Sequence, residues 1–386
     1  MPTWGTITLM GSGELTDSMA RVHRSLLARV EGRVRAVFLD TPAGFELNAD
    51  EVSGRAVEYF QRRFGIDLAV ASYKSKTRAT PRQVEDALRH LREANYILAG
   101  PGSPSYAIRQ WRGSAIWDTL VARLMDGAHL VFASAGAIAA SSFALPVYEI
   151  YKAGQEVDWI DGLDLLGMFG LKLAIIPHWN NAEGGTYDTR YCWMGEPRLK
   201  MLETKLPFDV VMLGIDEHTA CTFEITLQEC AVYGNGGATR RYKGQEEYLP
   251  GGSTFPFGTL RAESYPDESG AVPANTLIFP DPQFVTTRIY LSQLAHAMEK
   301  SDAPAEQREL IDHAHDTMHE LAHEWRAGDQ LVGDNLAPFV ELLIETRGKL
   351  RALKQFVPAD EIRERLEKLG VVIEDTPEGT VWRKRD

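Results

Sequence analysis

Three side chains in this sequence have the types that acyl-transfer chemistry needs: Ser134 in LVFASAGAIAAS, His178 after Pro177, and Glu217 in GIDEHTA. A serine hydroxyl is a weak nucleophile until a base takes its proton, and a histidine base needs an acid to orient its ring. Ser134 stands between an apolar run and a stretch of small residues. There Ala133, Ala135 and Gly136 allow the backbone to fold back tightly. Such a turn points the hydroxyl away from a sheet and leaves the Ala135 amide at a helix N-terminus, where it can stabilise an oxyanion. A second amide is expected from Gly100 or Gly102 in Gly100-Pro101-Gly102, since Pro101 has no N–H. A serine opening a helix of small residues is also what plain packing produces. What favours chemistry is that serine, histidine and acid each follow an apolar strand.

Those strands are short runs alternating with amphipathic helical stretches, the pattern of an α/β fold with a mostly parallel sheet and helices on both faces. They are expected at Thr6 to Met10, Arg35 to Leu39, Asp67 to Ser72, Tyr96 to Ala99, His129 to Ala133, Leu173 to Ile176 and Val210 to Leu213. Glycines and polar residues gather where these strands end, and in open parallel sheets that edge binds ligands. His178 and Glu217 are expected on the same sheet edge as Ser134. The uncharged stretch from Leu130 to Tyr148 is rich in Ser, Ala and Gly and interrupted by Pro146, so it reads as a buried strand and helix, not a membrane span. Gly234 to Asp281 reads as hairpins and loops, and from Thr286 onward the pattern is helical. The expected domains are 1–285, a helical connector over 286–334, and a small, mainly helical domain over 335–386.

The ordered set GSGE, AGPGSPSYA, ASAGA, the histidine after the sixth strand and GIDEHTA resembles the peptidase E and cyanophycinase family of serine hydrolases, over about residues 5 to 245. The resemblance implies a class I glutamine amidotransferase-like fold, Ser134 as nucleophile, His178 as general base and an acid as third member. The cyanophycinase branch puts that acid at Glu217; the peptidase E branch, with its acid shortly after the elbow helix, favours Glu149. Glu217 is the preferred assignment. Expected substrate contacts are Ser103, Asn180 and Arg190, the last as partner for a substrate carboxylate. No arginine just after His178 matches those that would recognise a cyanophycin-like polymer. The expected substrate is therefore a small peptide or aminoacyl compound, cleaved at an amide, with no cofactor.

The last fifty residues, with ADEIRERLEKLG followed by VVIEDTPEGTVWR, resemble the extreme carboxyl terminus of cysteinyl-tRNA synthetases. In that family the segment contacts the tRNA anticodon region. The resemblance implies tRNA as a partner; the alternative is a module that packs on the hydrolase or pairs subunits in a homodimer. The synthetase's HIGH and KMSKS signatures and its cysteine-rich zinc site are absent from the sequence, which argues against ligase activity. From Asn335 onward ten basic side chains meet ten acidic ones, yet Trp382 beside Arg383-Lys384-Arg385 sets a stacking ring next to three cations.

His319-Glu320-Leu321-Ala322-His323 spells the HExxH of zinc peptidases, with His315 on the same helical face. Asp312, Asp316 and Glu324 make this stretch read as a solvated polar face, so no metal site is expected. The formal net charge of −13 disfavours broad attraction to nucleic acid or to an anionic membrane. Three cysteines without a CxxC pair suit a reducing, cytoplasmic setting. Met1 to Leu15 lacks a basic stretch followed by an apolar run, so no signal peptide is expected.

Overall fold

A computed structural model describes residues 4–262 and, towards the carboxyl terminus, 356–368, 371–376 and 379–384 with scattered positions between 340 and 351. The HExxH motif at 319–323 and the connector 286–334 lie outside the described residues. The chain divides into two compact units, one built from Met1–Arg112 and Thr119–Ile278, the other from Gly113–Asp118 and Phe279–Asp386.

Up to residue 262 the chain alternates strands and helices as the apolar runs dictate. Strand β1 (Thr6–Met10) is followed by α1 (Ala20–Leu27), β2 (Ala36–Leu39), α2 (Ala49–Phe64), β3 (Ala69–Ala71), α3 (Pro81–Glu93) and β4 (Tyr96–Ala99). Then come α4 (Pro104–Trp111), α5 (Ala115–Met125), β5 (His129–Ala133) and the short α6 (Ala135–Ala139). A two-stranded ribbon, β6 (Phe143–Ala144) with β7 (Ile160–Asp161), brackets α7 (Val147–Tyr151). Next are β8 (Leu173–Ile176), α8 (Gly195–Thr204) and β9 (Val211–Ile215), and then β10 (Thr219–Glu224) and β11 (Glu229–Gly234). The last are β12 (Gly237–Tyr242), β13 (Gln245–Pro250) and β14 (Thr254–Pro256).

The main sheet has eight strands in the order β14-β11-β10-β1-β5-β4-β2-β3. Its five strands from β1 to β3 run parallel, while β10, β11 and β14 add an antiparallel flank. Strands β4 and β5 are buried throughout and read as unbroken apolar runs, as parallel strands covered on both faces must. On one face Val131 and Leu98 join a core made with Val22 and Leu26 of α1 and Ala56 and Phe60 of α2. The next residue, Phe132, points to the opposite face and meets Trp111 of α4, with ring centroids 6.2 Å apart.

One expectation is corrected here. Strands β8 and β9 are not in the main sheet; they pair in parallel with each other and form a second, four-stranded sheet in the order β13-β12-β9-β8. The chain crosses from the second sheet to the first in three residues, Asp216 to His218, between β9 and β10. Since β10 is antiparallel to β1, it begins at the edge where β1, β4 and β5 end: Met10 pairs with both Ala133 and Ala220. The two sheets thus bring their chain ends to one place by different routes.

In the second unit, α9 (Phe356–Lys368) precedes the antiparallel hairpin β15 (Val371–Thr376) and β16 (Gly379–Lys384). Ala359, Ile362 and Leu366 are buried with Val371 and Ile373. Arg347, almost fully buried, makes a two-pronged ion pair with Asp375 at 2.8 and 2.7 Å. No helix among the described residues is long and apolar enough to cross a membrane.

Candidate active site

Ser134 is the single residue between β5 and α6, and its backbone sits at φ 49°, ψ −110°. That is a costly conformation for a residue with a Cβ, held here by its amide, which donates to Met10 O at 3.0 Å on the neighbouring strand. The turn closes because its neighbours are small. A side chain at Gly136 would press on Ala99 O at 3.2 Å. The Ala135 N–H opens α6 and has no acceptor within the helix.

The Ser134 hydroxyl lies 3.0 Å from His178 Nε2. His178, two residues past β8 and also at positive φ (51°), presents Nδ1 to Glu217 Oε1 at 2.9 Å. A carboxylate accepts, so Nδ1 carries the proton and donates, leaving Nε2 as the acceptor that can draw the proton from Ser134. Glu217 also accepts from Asn181 Nδ2 at 3.0 Å, and its own amide donates to Asn180 Oδ1 at 2.8 Å. The His178 and Asn181 hydrogen bonds hold its carboxyl below the usual carboxylate range despite partial burial, so it stays ionised. The arrangement can take a proton from a hydroxyl, hold a positive imidazole, and return the proton to a leaving group.

The remaining expected residues divide. Gly102, at φ 144°, lines a cavity of about 370 Å³ beside Ser134 and Ala135. A side chain at Gly102 would fall 2.0 Å from Pro42 O, so only glycine lets this loop pass. Gly100 does not line that cavity. Ser103 caps α4 instead, its hydroxyl accepting from the Tyr106 amide at 3.2 Å, and it is buried. Asn180 is occupied with the Glu217 amide. Arg190 lies flat against Asp188, with two hydrogen bonds of 2.9 Å, and over the Tyr191 ring. That pair holds the Asp188 carboxyl far below its usual range, and Arg190 does not line the cavity. Glu149, on α7, makes no bond to His178; one of its carboxylate oxygens is buried without a partner, and the residue lines a different cleft.

Sequence reasoning did not foresee that Asn181 is fully buried and braces Glu217. It also missed Trp193, whose ring centroid is 5.0 Å from that of His178, and Glu14. Burial pushes the Glu14 carboxyl above its ordinary range, against the pull of His178, Arg55 and His218. The GSGE motif marked the position of Glu14 but not its surroundings. Among the described residues no cluster of three or more His, Cys, Asp or Glu is placed to hold a metal ion.

Residues 334–383 match the family described as "Cysteinyl-tRNA ligase anticodon binding domain". The similar curated proteins include the cysteine–tRNA ligase of Carboxydothermus hydrogenoformans, 45% identical over 56 residues, which are 14% of this chain and 12% of that protein. The cysteine–tRNA ligase of Persephonella marina is 63% identical over 46 residues, 12% of this chain and 9% of that protein. The chain therefore spans about a tenth of the length of the curated relatives it matches. Among solved structures, a peptidase from an acI-B1 Actinobacterium superposes with a TM-score of 0.54 and 21% identity, covering 66% of this chain and 98% of that one. At that identity the likeness is one of fold. The chain thus joins a peptidase-like α/β fold to a carboxyl-terminal segment that matches the anticodon binding domain of cysteinyl-tRNA ligases.

Proposed function

We propose that this protein is a serine hydrolase that cleaves an amide bond of a small peptide or aminoacyl compound. The observation that carries the reading is the unbroken relay from Ser134 Oγ to His178 Nε2 (3.0 Å) and from His178 Nδ1 to Glu217 Oε1 (2.9 Å), with Ser134 lining a cavity. Ser134 Oγ attacks the carbonyl carbon as its proton passes to His178 Nε2. The oxyanion is held by the Ala135 amide and a second amide from the Gly102 loop. His178 returns the proton to the leaving nitrogen as the C–N bond breaks, giving an ester on Ser134. Water, activated by the same histidine, then releases the acid and restores the hydroxyl. Glu217 stays ionised and stabilises the imidazolium. The test is labelling with a fluorophosphonate probe: Ser134 should be modified in the native protein and the label lost in Ser134→Ala. Equal labelling of the two proteins would overturn the reading.

A second reading concerns residues 335–386, taken as a domain that follows the hydrolase part (1–285) and the connector (286–334). The match to an anticodon binding domain favours contact with tRNA and, with it, a cytoplasmic setting. Trp382 and Arg383, half-buried and exposed on β16, are the residues to contact it. Retention of tRNA by the full chain should weaken on Trp382→Ala and on Arg383→Glu, with the dependence on salt becoming shallower for the second. Absence of tRNA retention in the native protein would remove this reading and leave the first intact.

A further inference from the structure

Ser134, Ala135 and Gly102 border the cavity beside the nucleophile. The rest is lined by Ile138 and Val147, both buried, by Trp193, and by Tyr148, Tyr151 and Tyr187, so aromatic rings and phenol hydroxyls share the wall of the cavity. Its volume, about 370 Å³, lies in the range of small-molecule sites. Both charged residues on its boundary are exposed: Lys152, with Nζ 4.6 Å from the Tyr151 ring centroid, and Glu183. No buried cation among the lining residues would replace the water lost by an acidic group.

Trp193 is held at this wall by an unusual piece of backbone. Tyr191, Cys192 and Trp193 are consecutive residues at φ 60°, 54° and 64°. Such backbone is costly for a residue with a Cβ, so a left-handed turn of three persists only where its surroundings impose it. Here the amides of Tyr191, Cys192 and Trp193 donate to Trp179 O, His178 O and Thr189 O. The turn sets the Trp193 indole beside His178 and at 30° to the Tyr151 ring, with centroids 6.4 Å apart. It also presents Cys192 as cavity floor. That thiol is fully buried and burial raises its pKa, which suits an apolar surface and not a second nucleophile.

The side of the scissile bond follows from what borders the cavity. The residues that would face the oxyanion line it, whereas His178, which serves the leaving nitrogen, does not. Resting on the hydrolase reading above, we propose that this cavity receives the side chain of the residue that contributes the scissile carbonyl, and that it selects an aromatic or large apolar side chain over an acidic or small one.

The test compares hydrolysis of the amides of phenylalanine, leucine, alanine and aspartic acid by the full chain. We expect kcat/KM for the phenylalanine and leucine amides to exceed that for the alanine amide by at least about tenfold, with the aspartic amide lowest. Trp193→Ala, and separately the half-exposed Tyr148→Ala, should shrink the phenylalanine-to-alanine ratio, chiefly through KM; a purely structural role would lower all rates together. Ser134-dependent turnover that is fastest on the aspartic or alanine amide overturns the selectivity and leaves the hydrolase reading standing. Absence of Ser134-dependent fluorophosphonate labelling overturns both. If labelling occurs but no amide turns over, tryptophan fluorescence of Ser134→Ala decides. Quenching by the phenylalanine amide alone supports the pocket, and equal or absent quenching by the phenylalanine and aspartic amides rejects it.

Discussion

At the scale of single residues, the decisive contrast is between two glutamates. Glu217 holds His178 Nδ1 in the donor state, so Glu217→Gln would place an amide where an ionised acceptor is needed and favour the wrong tautomer. Turnover should fall by about 10³–10⁴-fold, with the protein still folded by circular dichroism. Glu149 makes no hydrogen bond to His178 or Ser134, so Glu149→Gln should change turnover by no more than a few-fold. The reverse result would move the acid to α7. Ser134, His178 and Glu217 were legible in the sequence because each follows an apolar run that ends abruptly, a local signal. The bracing by Asn181 and the place of Trp193 were not. Their roles come from a loop whose left-handed backbone, at residues that are not glycine, no propensity announces. Arg190 misled for the opposite reason. A lone arginine near a site suggests a carboxylate ligand, but the carboxylate it binds is its own neighbour Asp188.

At the scale of elements, the loop from β4 to α4 and the helix α2 offer a matched pair of glycine substitutions. In Gly102→Ala the new Cβ would meet Pro42 O at 2.0 Å with φ already at 144°, so the loop beside Ser134 must shift. If that loop supplies an oxyanion amide, kcat should fall by about 10²–10³-fold, with a smaller change in KM. Gly54 lies inside α2 with nothing within 4 Å of an added Cβ. Gly54→Ala should therefore leave kcat unchanged and stabilise the protein by up to about 1 kcal/mol, seen as a higher urea midpoint. Equal effects of the two would show that the Gly102 loop has no special part. Although β6, β7, β10 and β11 were not expected, the strands β1 to β5, β8 and β9 were readable to within two residues as short apolar runs. Which sheet each joined was not. Strands β8 and β9 are buried parallel runs like β4 and β5, and only long-range pairing with β12 and β13 assigns them to a second sheet.

At the scale of the whole molecule, acid should weaken the fold through buried histidines. His23 is fully buried, with Nε2 donating to Glu14 O at 2.6 Å and Nδ1 accepting from the Tyr96 hydroxyl at 2.5 Å. Both bonds suit the neutral ring, and burial pushes its pKa down to about 4. His129, bonded to Thr6 Oγ1 at 2.9 Å, is likewise lowered by burial to about 4. The unfolded chain takes up these protons near the ordinary histidine value of about 6.5, while the folded chain refuses them until about pH 4. Across that interval the unfolded state binds more protons, so stability falls as pH falls, and each ring contributes a loss on the order of 3 kcal/mol. The raised carboxyls of Glu14, Asp40 and Asp216 act in the opposite direction, since the folded state keeps their protons to higher pH. The net slope therefore mixes signs, and the histidine share must be isolated by difference. In His23→Gln, urea unfolding followed from pH 7 to pH 4.5 should lose stability less steeply than in the native protein, although the variant starts out less stable at pH 7. Parallel curves for the two would mean that His23 is not held neutral in the fold.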